Sequence, residues 1–432
     1  MTSKIGDIVE LQRGTTYKSK QKDLPGPVLL GLATIRRNGG FRNDNLTTYG
    51  GESPEKLLVY PGEMYVSLKD VTQSADLLGA VARVPSDIEV GRLTQDTVKL
   101  RFIRSDFSKE YVYWILRTPA YREYCKMHAT GTTNLGLSRD DFLSYEVPPL
   151  TPERAVLVDL LECISRKIAL NSRMNETLEA VARAIFKSWF VDFDPVKAKM
   201  EGQQPNGVDK ETIALFPNKL MCSEQGVLPD GWEQGILSDV AFLNKKAWTK
   251  KKHPPQINYV DLANTKNGII SCSVEYAFDK APSRARRILS EGDTIVGTVR
   301  PGNRSYAYIG DEAVPLTGST GFAALTPKST EWREYVYLVA TSDESIAHLA
   351  RLADGAAYPA VRPSVVADLK SVIPTETVVQ AFHRQISPFF DKMFACKEES
   401  ARLGAIRDTL LPKLVSGELS VSAVEKQLEK VL

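Results

Sequence analysis

Apolar side chains recur at alternating spacings of four and three along two long stretches of the chain. In the first, Leu157, Leu161, Ile164 and Ile168 are followed, after a polar interval, by Leu178, Ala182 and Ile185. The second runs Val379, Phe382, Ile386, Phe389, Met393, Cys396, Ser400, Leu403 and Leu410. That alternation is the seam of a heptad repeat and predicts two long helices, with Arg407 interrupting the second near its end. Thr151 followed by Pro152 supplies an N-cap and a proline at the first helical position, which places the start of the first helix. Pro388, inside the second seam, predicts a kink or a local break, because it removes a hydrogen bond and crowds the preceding turn. Each stripe alone suits an amphipathic helix lying on its own domain. Two equally long stripes, each too long for a small domain to cover, predict instead that the helices pair with each other. Asn171, Asn175 and Ser400 are polar at seam positions, which costs stability but penalises shifted registers.

Outside the seams the pattern changes to short apolar runs rich in β-formers, at 27–32, 64–68 and 80–84, separated by Gly, Pro and Asn. These predict strands of compact, irregular sheets. Short helices are predicted over 109–118 and 333–340. The two halves repeat one another. Tyr111-Val112-Tyr113-Trp114-Ile115-Leu116 returns as Tyr335-Val336-Tyr337-Leu338-Val339-Ala340 (335 − 111 = 224), and Gly131 returns as Gly355 in the same register. Gly62 matches Gly292, and Leu178 matches Leu403. So long a period excludes a solenoid and predicts two whole domains of one kind. Domain 1 is expected over 1–150 and its helix over 151–193. A linker follows at 194–229, then domain 2 over 230–374 and a second helix with a tail over 375–432. Prolines at Val147-Pro148-Pro149-Leu150 and Val372-Ile373-Pro374-Thr375 end the two domains. Prolines and glycines break any regular period in the linker, which reads as an ordered-to-loose connection rather than a domain.

Composition narrows the class without naming it. Of 432 residues, 43% are hydrophobic and 25% charged, ordinary for a globular chain with room for two or three cores. No apolar run is long enough for a membrane span, and Met1-Thr2-Ser3-Lys4 opens no export signal. Five scattered cysteines without a C-x-x-C pair argue against a disulfide framework or structural zinc, and for a reducing cytoplasm. Net charge is only +2, but it is unevenly spread. Between 11 and 42 lie Arg13, Lys18, Lys20, Lys22, Arg36, Arg37 and Arg42 against Asp23 alone. The matching stretch, 241–272, holds Lys245, Lys246, Lys250, Lys251, Lys252 and Lys266 against Asp261 alone. One charge run is usually a solvated face, whereas recurrence in both copies points to a polyanion partner.

Catalytic signatures are missing from the sequence. There is no G-x-x-x-x-G-K-[ST] loop, no H-E-x-x-H and no metal-spaced Cys/His cluster. The Pro-Pro pairs lack the polar acceptor and aromatic ring of a base-flipping amino-methyltransferase. Pro229-Asp230 with Glu233 suggests a nuclease carboxylate pair, but Gly235 stands where the lysine should be. No cofactor is expected.

The chain resembles the specificity subunit of type I restriction-modification systems over essentially its whole length. The most specific pieces are Ala184-Ile185-Phe186-Lys187-Ser188-Trp189-Phe190-Val191-Asp192-Phe193-Asp194-Pro195 after the first helix and Leu410-Leu411-Pro412-Lys413-Leu414-Val415-Ser416-Gly417-Glu418-Leu419 after the second. Leu228-Pro229-Asp230-Gly231-Trp232 and the turn Gly131-Thr132-Thr133-Asn134 add to the likeness. The chain departs from the pattern in lacking a Gly-Trp lead-in before Lys4-Ile5-Gly6-Asp7, and in carrying Gly355-Ala356-Ala357-Tyr358 where a more polar turn is usual.

The resemblance implies a mixed α/β (α+β) fold, with two target-recognition domains related by a pseudo-twofold axis and joined by long helices pairing as an antiparallel coiled coil. It further implies a non-catalytic subunit that binds double-stranded DNA and two methyltransferase subunits and, through them, the restriction and motor subunits. Helices of about 35 to 40 residues span about 55 Å, which would hold two readers over separated major-groove segments of a bipartite, asymmetric target. Lys18, Lys20, Lys22, Lys250, Lys251 and Lys252 are the expected phosphate contacts, with Arg13 and Lys245 in the same basic patches. Arg36, Arg37, Thr133, Asn134, Arg300 and Arg304 are the expected base readers. A duplicated coiled-coil scaffold or adaptor without sequence-specific DNA binding is the alternative reading.

Overall fold

The computed structural model describes the chain except residues 1, 45, 133, 204, 206, 224–225, 312–314, 356–358 and 418–432. Two compact units emerge: Met1–Leu170 with the chain from Glu398 on, and Asn171–Lys397. Both boundaries fall inside the long helices, which run Pro152–Phe190 and Glu376–Leu410.

Strand order reproduces the internal repeat. In the first unit an antiparallel sheet orders Val9–Arg13, Thr97–Phe102, Met64–Ser67 and Val81–Arg83. Its counterpart in the second orders Ala241–Leu243, Phe322–Pro327, Thr294–Gly297 and Tyr306–Tyr308. A smaller sheet pairs Val28–Leu30 in parallel with Gly91–Leu93, which also pairs with Leu58–Val59. Gln256–Val260, Leu316–Ser319 and Ala285–Ile288 repeat that arrangement, and Val274–Ala277 adds a fourth strand. The repeated apolar motifs become Lys109–Ile115 and Arg333–Ala340. From Tyr111 to Leu116 and from Tyr335 to Ala340 every side chain is buried, so these short helices form the middle of each core.

Within the first unit, one end of each long helix completes the core. Leu157, Leu161 and Ile164 pack with Ile406, Leu410 and Leu414. Arg154 donates to the carbonyls of Leu414 (2.9 Å) and Val415 (2.8 Å), and Lys167 meets Glu399 at 3.1 Å. Rising numbers on one helix meet falling numbers on the other, so the segments are antiparallel. The second unit shows the same sense: Asn171 Nδ2 donates to the Cys396 carbonyl at 3.3 Å and Asn175 Nδ2 to the Met393 carbonyl at 3.2 Å. Asn171 is 3% exposed, which makes it a true core polar residue. Thr151 caps the first helix through its hydroxyl, at 3.4 Å from the Arg154 N–H.

The second helix runs through Pro388 without a break, the stronger of the two outcomes expected there. Pro388 is exposed, while its neighbours Ile386 and Phe390 are buried and tie both sides of the ring to one core. The connection from 194 to 229 contains more regular structure than its prolines and glycines suggest. It forms helices Asp194–Met200 and Lys210–Leu215 and a hairpin of Leu220–Ser223 with Gly226–Pro229. Asp209 caps the second of these helices, accepting from the Thr212 N–H at 2.8 Å. Phe216 packs edge-on to Trp189, ring centroids 4.9 Å apart, and Val196 is fully buried. The prolines and glycines punctuate short elements that the core of the second unit holds in place.

The five cysteines are free, and Cys125 and Cys396 are buried. Among the described residues no cluster of His, Cys, Asp or Glu could hold a metal ion. No described helix is long and apolar enough to cross a membrane.

Candidate nucleic-acid interface

In the first unit the basic stretch divides into a loop, a turn and a strand end. Lys18, Lys20 and Lys22 are exposed around a single 3-10 turn at Ser19–Gln21. The loop is held by its aromatic residues and by a buried cation. Lys22 Nζ sits 5.1 Å from the Tyr17 ring centre, and Tyr17 packs edge-on to Tyr49. Beneath them Arg92, only 4% exposed, stacks on Tyr49 at 4.8 Å and donates to the Thr15 hydroxyl and the Thr16 carbonyl, both at 3.2 Å. Sequence reasoning missed Arg92, which lies 70 residues beyond Lys22. Arg13 ends a strand with its side chain exposed.

Arg36 and Arg37 occupy a tight turn closed by Arg36 N–H to the Gly40 carbonyl and Gly39 N–H to the Arg36 carbonyl, both 2.9 Å. Gly39 and Gly40 have φ of +105° and +102°, a region that side chains disfavour, and Gly40 lies against both Arg36 and Arg117. Arg37 reaches Asp76 at 3.9 Å but stays 79% exposed, so the pair is weak. Part of Arg36 is open to solvent, yet desolvation of its guanidinium, with Arg117 and Arg407 nearby, lowers its pKa from the usual arginine value. The late turn is equally constrained: a Cβ on Gly131 would fall 2.4 Å from the Asn134 carbonyl oxygen. Asn134 is exposed beside this turn, and Thr133 lies outside the described residues.

The second unit presents its lysines on a different frame. Thr249 and Lys252 exchange backbone hydrogen bonds of 3.1 and 3.2 Å, which puts Lys250 and Lys251 at the tip of a turn. Lys250, Lys251 and Lys252 are exposed. Lys245 lies over the Phe242 ring at 4.5 Å. Arg300 and Arg304 flank a 3-10 turn with φ of +48° and +59°. Arg300 is exposed, whereas Arg304 pairs with Asp343 and is thereby partly neutralised. The paired carboxyl of Asp343 is held below its ordinary range by that arginine. Exposed lysines on turns have the chemistry to meet phosphate oxygens.

No protein-family model matches the chain. The HindI specificity subunit of a type I restriction enzyme from Haemophilus influenzae is 26% identical over 367 residues, covering 72% of this chain and 77% of the relative. The MjaIX specificity subunit from Methanocaldococcus jannaschii is 24% identical over 317 residues, covering 72% of this chain and 69% of the relative. These curated relatives are type I restriction enzyme specificity subunits. A crystal structure of the S subunit of a type I restriction-modification system from M. genitalium overlays with a TM-score of 0.51 and 13% identity, covering 96% of this chain and 95% of that one. The structural likeness shows the S-subunit fold: mixed sheets and helices with long helices that pair antiparallel.

Proposed function

We propose that the protein is the sequence-specific DNA-binding subunit of a type I restriction-modification complex, reading a bipartite, asymmetric target with one domain for each half-site. One observation supports this reading most. Two domains with the same strand order carry exposed lysines at matching places on differently built loops. A shared frame keeps the docking mode on a duplex, and unlike loops read unlike bases. On this reading Arg36, Arg37, Thr133, Asn134, Arg300 and Arg304 face base edges, while Arg13, Lys245 and the six loop lysines meet phosphates. Two methyltransferase subunits dock on the protein and recruit the restriction and motor subunits. The protein itself catalyses nothing and works in the cytoplasm.

Domain exchange tests the proposal. Residues 1–150 are replaced by the first domain of another such subunit, and methylated sites are sequenced in a host carrying the complete system. One half-site should change and the other persist. If both change together, independent readers are the wrong description.

A further inference from the structure

The two copies differ sharply in charge where the Tyr-Val-Tyr helix meets a long helix. In the second unit, Glu179 of the first long helix accepts from Tyr337 Oη at 3.1 Å and from Arg183 Nη2 at 2.6 Å. Arg183 lies over the Tyr337 ring and donates to the Thr341 hydroxyl at 3.1 Å. Cation, carboxylate and phenol are mutually satisfied.

In the first unit the repeat places Tyr113 at the position of Tyr337, Arg117 at that of Thr341, Gly404 at that of Glu179 and Asp408 at that of Arg183. The carboxylate is gone and an arginine has been added. A Cβ built on Gly404 meets nothing within 4 Å, so the space beside that helix position is open. Arg117 stacks on Trp114 at 4.7 Å and donates Nη1 to Tyr113 Oη at 3.2 Å, but its Nε is buried without a partner. Arg36 approaches from the Gly39–Gly40 turn, and Arg407 from the second long helix. Asp408 pairs with Arg407, and Glu162 is taken by Arg83. Among the described residues Arg36 and Arg117 form no ion pair; the carboxylate that acts on Arg36, Asp44, is itself paired with Arg42, so the two crowded cations lack a dedicated counter-charge.

We propose that Arg36, Arg117 and Arg407 form a binding site for a phosphate group, which supplies the negative charge that Glu179 provides in the second unit. Planar guanidinium groups suit two oxygens of a tetrahedral oxyanion at once, and partial desolvation strengthens the contact. Arg36 belongs to the basic stretch of the first domain. The phosphate in use is therefore one from the backbone of duplex DNA, an assignment that rests on the proposed function; the site itself does not.

The test uses the full chain and two probes. Inorganic phosphate is titrated by calorimetry at constant ionic strength into the unaltered protein, into Gly404→Glu, which restores the carboxylate of the other copy, and into Arg117→Thr, which restores its threonine. Saturable binding by the unaltered protein should weaken about tenfold or more in both variants. Gly404→Glu should also melt at a higher temperature in phosphate-free buffer, showing that it is folded and internally neutralised. Absence of saturable binding, or equal affinity in all three proteins, overturns the site. The second probe is duplex DNA across a salt series, where Gly404→Glu should reduce the slope by about 0.9. An unchanged slope with phosphate binding lost overturns the DNA source and assigns the site to a carboxylate of a protein partner. Failure of the unaltered protein to bind duplex rejects the proposed function, while the phosphate titration still decides the site.

Discussion

In the first unit Tyr111 donates its hydroxyl to the Pro148 carbonyl at 2.9 Å, and in the second Tyr335 donates to the carbonyl of Val372, the matching position of the repeat. The charges around these bonds have moved. Glu162 on the first long helix accepts two bonds from Arg83 (3.0 and 2.9 Å) and one from Trp114 Nε1 (2.8 Å) in the first unit. At the matching positions the second unit has Ser387 and Leu338. It places its carboxylate instead at Glu334, 1% exposed, which meets His383 at 2.6 Å. The counterparts of that pair are exposed Glu110 and buried Val158. Apolar shape has been kept across the duplication while ionic partners were reassigned. A domain facing the wrong helix would find its charges unmatched, so the exchange acts as a specificity device.

The largest expected effect comes from the carboxylates. Glu162→Ala leaves Arg83 and the Trp114 indole without acceptors and should cost about 3 kcal/mol, the order found when one partner of a buried pair is removed. Glu179→Ala leaves Arg183 its bond to Thr341 and should cost about 1.5 kcal/mol. Denaturant unfolding of the full chain checks both, and a reversed ranking would break the comparison. Next come the lysines: Gln at 18, 20 and 22, or at 250, 251 and 252, should weaken duplex binding alike for all sequences. The salt slope should fall by about 0.9 for each lost contact. A loss confined to one set would show that only one copy meets phosphates.

Near neutral pH, a dependence of stability on pH should come from His383 in the second unit. The hydrogen bond to buried Glu334 raises the pKa of His383, with Glu331 adding to the effect and Arg333 opposing it. Protonated imidazole is the form favoured by folding. Its stabilisation is fully present below the unfolded value of about 6.5 and is lost as pH rises through the raised folded value. Melting temperature should therefore fall across that window, and His383→Val, the residue of the first copy, should flatten the profile. A slope that survives in the variant would assign the titration elsewhere. Smallest of all, Tyr111→Phe and Tyr335→Phe should each cost about 1 kcal/mol, equal in the two units, by the same unfolding measurement.

Much of this fold was legible because it is written in short-range periodicity. Heptad spacing and the Thr151-Pro152 start located the first long helix, and the repeated Tyr-Val-Tyr run located the central helix of each core. The segment from 194 to 229 was not legible, since helices of six or seven residues have little intrinsic stability and depend here on Trp189, Phe216 and Val196 coming together. That the helix continues through Pro388 was not legible for a related reason: burial of Ile386 and Phe390 offsets one lost backbone bond. At the candidate interface the basic stretches were visible as composition. The support from Arg92 and the meeting of Arg36, Arg117 and Arg407 were not, because no local pattern links residues so far apart in the chain. The single available sign was the replacement of Thr341 by arginine in the other copy.

Asn171 and Asn175 donate from their amides to the main-chain carbonyls of Cys396 and Met393. Every residue of a helix carries a carbonyl, so these two contacts ask nothing of the side chains at 393 and 396. The alignment they define survives substitution along that part of the second helix.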